Sequence, residues 1–169
     1  MFSRQQRRFA ADHRTKFKMN LESIFPDGFI GALQQFVAET KLHPVLVNFT
    51  AALAPVSIAA DAIGRWRKDD SLRSTGWWTL SCATAITPFT ALTGWLFWMP
   101  DDSGAAGMTI HKWLGTSLAV LLIGLFAWRL ILHRQKQWAA TPYLITGVVF
   151  IAALVVQGYL GGQQVFSGM

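Results

Sequence analysis

A chain of 169 residues in which 52% are hydrophobic and only 14% charged has room for one helical unit, and its charges fall almost entirely outside the apolar runs, a sorting that a soluble core does not need. The formal charge of +6 argues for anionic headgroups rather than nucleic acid, because no folded soluble module presents the basic residues. The single cysteine, Cys82, excludes an intrachain disulfide.

The chain opens on a basic tail, with Arg4, Arg7, Arg8, Arg14, Lys16 and Lys18 against Asp12, and no apolar core follows to make it a signal peptide. In residues 27–39, Phe29, Ile30, Leu33, Phe36 and Val37 share one helical face while Gln34, Gln35 and Glu39 share the other. That pattern predicts an amphipathic helix lying in the membrane interface, capped by Asp27. Were it to insert instead, it would be a fifth span.

Four apolar runs follow, at 43–63, 77–99, 110–132 and 142–162, each near the ~20 residues a helix needs to cross the hydrocarbon layer. Short connections between them predict antiparallel neighbours. The expected fold is all-α: an integral membrane up-down four-helix bundle over 42–169, preceded by the tail and interfacial helix of 1–41. Connection 64–76 carries Arg65, Arg67, Lys68 and Arg73, and connection 133–141 with its flank carries Arg129, Arg134 and Lys136, whereas 100–109 carries Asp101 and Asp102. The positive-inside rule then makes the first and third connections cytoplasmic and puts the N-terminus outside, in the bacterial inner membrane.

His43, Thr50, Ala54, Ser57 and Asp61 fall on one stripe of the first span, which predicts a polar seam facing the bundle interior, with Gln157 of the fourth span bonding across it. Asp61 has Arg65 one turn further on as its nearest base. Pro44 suits the first helical position, which makes His43 a cap residue. Gly115 and Ala119 below His111, and the pair Gly158 and Gly162, leave helix surface bare either for another helix or for a flat cofactor. The eight tryptophans lie near the span ends and read as an interfacial belt.

The segment Leu42-His43-Pro44-Val45-Leu46-Val47-Asn48-Phe49, then Thr93-Gly94-Trp95-Leu96-Phe97-Trp98, His111 opening the third span, and Gly158-Tyr159-Leu160-Gly161-Gly162 closing the fourth, resembles the bacterial membrane family called domain of unknown function 2231 over residues 42–166. The resemblance implies a four-helix membrane protein without an assigned activity. Where the family motif has a second histidine this chain has Asn48, where it has a proline this chain has Thr50, and an acid before the second tryptophan is Phe97 here.

Two functional readings follow. In the first, His43 caps a helix, His111 lies at the interface, and the protein is a non-catalytic accessory or structural subunit packed against other membrane proteins, an electron-transfer complex among the candidates. In the alternative, His43 and His111 open odd-numbered spans at the same outer face and act as axial ligands of a b-type haem, or hold a transition metal, in an electron carrier. Hydrolytic or nucleophilic catalysis has no support, since no serine, cysteine or acid is spaced to sit beside either histidine.

Overall fold

The computed structural model describes residues 28–97 and 106–166; the basic tail, Asp27, Trp98, Asp101 and Asp102 lie outside them. Among the described residues five helices run in order: α1 Phe29–Glu39, α2 Leu42–Arg67, α3 Asp70–Phe97, α4 Ala106–Arg134 and α5 Thr141–Phe166. There is no strand among the described residues. α2 packs on α3, α3 on α4, α4 on α5 and α5 back on α2, while α1 rests against α2 and α3. The segments Leu42–Arg67, Thr109–Arg134 and Thr141–Gln163 are long and apolar enough to cross a membrane.

Among the described residues α3, rich in hydroxyls, falls short of that apolarity, yet most of these hydroxyls are satisfied locally. Thr79, Ser81, Thr87, Thr90 and Thr93 each donate to the carbonyl four residues back. Such bonds let a hydroxyl-rich helix sit among apolar neighbours, and the Thr84 hydroxyl, buried without a partner, is the exception. Pro55 and Pro88 lie inside α2 and α3, which continue through them.

Helix ends differ from the sequence expectation. α2 begins at Leu42 with Lys41 at φ 50 as its cap, so His43 stands inside the first turn rather than capping it. α2 runs to Arg67 and α3 starts at Asp70, which shrinks the predicted connection 64–76 to a tight turn. Lys68 at φ 55 ends α2, with Asp69 N–H bonded to the Gly64 carbonyl, and the Asp69 carboxylate accepts from Ser71 and Leu72 N–H to cap α3.

The second hairpin repeats the first. Buried residues of α4 follow those of α2 at a constant offset of 68: Leu118 matches Thr50, Leu122 matches Ala54, Leu125 matches Ser57, Arg129 matches Asp61 and Leu132 matches Gly64. Buried residues of α5 follow those of α3 at 67, Tyr143, Gly147 and Phe150 matching Gly76, Leu80 and Ala83. The turn repeats too: Lys136 at φ 54 matches Lys68, and Gln137 N–H bonds the Leu132 carbonyl as Asp69 bonds that of Gly64. Between them the hairpins enclose one core of Ala54, Ile58, Leu80, Ala83, Leu118, Leu122, Leu125, Tyr143 and Phe150.

Candidate functional site

Two polar clusters stand on this core, one at each end. At the end where α2 turns into α3, Arg129 reaches across to Asp61 and grips it with two hydrogen bonds, Nε to Oδ2 and Nη2 to Oδ1, each 2.8 Å. Both residues are buried, at 0% and 2% exposure. This corrects two sequence expectations. Asp61 pairs with Arg129 and not with its neighbour Arg65, whose guanidinium donates to the Ala139 carbonyl instead. Arg129 is an interior residue and not a headgroup base.

The surroundings are built for the pair. Arg129 Nη2 also donates to the Arg73 carbonyl, and Ser57 Oγ donates to the Gly76 carbonyl. Gly76 lets α3 approach, because a Cβ there would stand 2.6 Å from Asp61 Oδ1. Tyr143, fully buried and edge-on to Trp128, lies beside Asp61 and Ser57. A buried ion gripped this way costs much less than a lone one, and the bidentate geometry suits the guanidinium fork. Arg73 stacks over Trp138 and donates to the Lys136 carbonyl, which ties the two turns together.

At the opposite end the two imidazoles are seated alike. His43 Nδ1 lies 3.1 Å from the Thr90 carbonyl and 3.3 Å from Thr93 Oγ1, and its Cε1 fills the space over Gly94, 2.8 Å from where a Cβ would be. His111 Cε1 sits over Gly161 at the same 2.8 Å, and Gln157 donates its amide to the His111 carbonyl at 2.8 Å with its nitrogen 3.3 Å from His111 Nε2. Both rings are half-buried. His111 Nδ1 is buried without a hydrogen-bond partner. At the rim, Lys112 lies over the Trp95 ring, whose Nε1 donates to Thr116.

The other expected site residues fall as follows. Thr50 is buried on the seam with its hydroxyl unpartnered, and Ser57, Asp61 and Gln157 occupy the interior as polar groups. The bare surface at Gly115 is filled by the Gln157 side chain, not left for a flat ring, and Ala119 is half-buried beside it. Among the described residues nothing lies within 4 Å of a Cβ built on Gly158 or Gly162, so that pair packs no described helix. His133 stacks on Trp77 with ring centroids 4.1 Å apart, at the ion-pair end. Among the described residues no three His, Cys, Asp or Glu side chains gather as a metal cage.

The family model for predicted membrane proteins of domain of unknown function 2231 matches residues 39–168, which takes in all of α2 to α5. The chain belongs to this family. It is therefore a predicted membrane protein, and three of its described helices are candidate crossings by length and composition. No curated protein and no solved structure matches the chain.

Sequence reasoning missed Arg129 as Asp61's partner and the seats at Gly94 and Gly161. One signal was present: Asp61 follows His43, and Arg129 follows His111, by the same 18 residues. Eighteen residues make five helical turns, so each charged residue stands on the stripe of its histidine.

Proposed function

We propose that this protein is a four-crossing integral membrane subunit that carries a b-type haem between His43 and His111 and serves a larger membrane complex as an electron carrier. The observation that carries the reading is the matched seating of two imidazoles, one from each hairpin, at one end of the core. A haem iron takes two neutral imidazoles, each with its second nitrogen hydrogen-bonded. His43 fits: with Nδ1–H donated to the Thr90 carbonyl, the lone pair resides on Nε2. His111 meets this only in part: its Nδ1 is buried without a hydrogen-bond partner, and the Gln157 amide, which has the His111 carbonyl as its acceptor, lies 3.3 Å from Nε2. A haem held there supplies a one-electron couple.

The chain's own residues orient the rings. Gly94 and Gly161 admit them to the helix surface, Thr90 sets one tautomer, and Lys112 offers a cation at the rim. The interior groups Thr50, Ser57, Asp61 and Gln157 belong to the protein's frame and not to the redox chemistry. In this reading α3 is the second crossing, and α1 lies in the interface with Phe29 and Phe36 toward lipid and Val37 toward α2 and α3. The ion-pair end, with Arg65, Arg67, Lys68, Arg134 and Lys136, faces the cytoplasm of the bacterial cell, and the histidine end faces out.

Protein purified in mild detergent should be coloured, with absorption bands that shift on reduction and vanish in His43→Ala and His111→Ala. A colourless protein would end the haem reading. The open surface at Gly158 and Gly162 would then favour the plainer role of a packing subunit, recognised by co-purification of a defined membrane complex that Gly158→Leu disrupts. Topology is tested separately in a Cys82→Ser background: Lys41→Cys should react with an impermeant thiol reagent from outside and Ser71→Cys should not.

A further inference from the structure

We infer that the chain is two equivalent hairpins bound to each other as subunits are, and that Asp61–Arg129 makes each hairpin's partner the other hairpin, never its own counterpart from a second copy. Helices α2–α3 and α4–α5 share their buried positions, their turn geometry at Lys68 and Lys136, and the placing of a histidine over a glycine. Asp61 touches its own equivalent, Arg129, and His43 over Gly94 matches His111 over Gly161. Residues that meet their equivalents lie on a two-fold axis, the arrangement of a symmetric dimer.

A symmetric interface would also allow two first hairpins, or two second hairpins, to pair between copies. Two features forbid it. Matched interior positions are small in the first hairpin and large in the second: Thr50, Ala54, Ser57, Gly76 and Ala83 against Leu118, Leu122, Leu125, Tyr143 and Phe150. The one reversal, Leu80 against Gly147, is also complementary, because the Ile58 side chain occupies the space over Gly147. Two first hairpins would leave voids and two second hairpins would overfill the core. The charge is the sharper selector: like pairs would bury Asp on Asp or Arg on Arg where no water screens them. A lone ion pair at one interior position specifies partners in this way in other helical assemblies.

The inference predicts a rescue in trans. Full-length Asp61→Arg carries arginine on both hairpins and full-length Arg129→Asp carries aspartate on both, so neither pairs within itself, and each alone should yield monomer reduced about tenfold or more. Co-expressed with different affinity tags, the two should co-purify as a one-to-one complex, each hairpin of one chain seated on a hairpin of the other. Wild-type-level monomer from either variant alone overturns the inference, and so does failure of the co-expressed chains to associate. The neutral double variant Asp61→Leu/Arg129→Met covers the case where charged variants do not fold: it should accumulate, but as monomer mixed with dimer in light scattering. If it stays wholly monomeric, side-chain size alone selects the partner and the role assigned to the ion pair is overturned.

Discussion

The two ends of the core use the same geometry for opposite purposes. At one, a carboxylate and a guanidinium meet on the axis and neutralise each other through two hydrogen bonds beside Tyr143 and Gly76, with Arg129 Nη1 and the Tyr143 hydroxyl buried without partners. At the other, two groups of one chemical kind sit over matched glycines, neither neutralising the other, half-buried and leaving His111 Nδ1 without a partner. A pair that cancels its own charge holds the protein together; like rings that cannot cancel, one with Nδ1 uncommitted at His111, are suited to take up something else. The difference teaches that a polar group in a membrane interior is best judged by whether its partner completes it.

The contrast can be broken first at the ion-pair end. Arg129→Ala strands the Asp61 charge, and the detergent-solubilised protein should lose about 3–5 kcal/mol, read as a large drop in its thermal midpoint. An unchanged midpoint would mean that the carboxylate is served by water and the end is not sealed. Next comes the seating of the rings: Gly94→Val or Gly161→Val pushes a side chain into an imidazole and should cost about 1–3 kcal/mol, whereas Gly124→Val, with nothing within 4 Å, should cost far less. Equal losses at the three positions would show a general intolerance of bulk rather than a fitted seat. His43→Ala should cost only about 1 kcal/mol, since the ring is half-buried, yet remove the visible absorption entirely. The smallest effect belongs to Gly158→Leu, expected within about 0.5 kcal/mol in the isolated chain.

The apolar runs were legible because crossing a membrane is decided locally, by some twenty consecutive side chains. The stripe from His43 to Asp61 was legible for a similar reason, since helical periodicity is written in the spacing of neighbours. Partners across the core were not. Arg129 sits close enough to Arg134 and Lys136 to be counted with the headgroup bases, and nothing within its own helix tells that its guanidinium turns inward to a residue of another hairpin. Gly94 and Gly161 stood within the segments that carry the family likeness, but a glycine shows only that space is left, not which side chain fills it. The duplication lay in the numbering throughout, hidden because equivalent positions hold small residues in one half and large ones in the other.

The five turns that separate each histidine from the charged residue on its stripe set a length. At about 1.5 Å per residue they span roughly 27 Å, close to the thickness of a bilayer's oily layer. Both ends can therefore rest at its two edges only where that layer has about this depth. A thicker lipid film would draw one end or the other below its surface, so vesicles of graded acyl-chain length should reveal an optimum for folding near the natural match and a decline on either side.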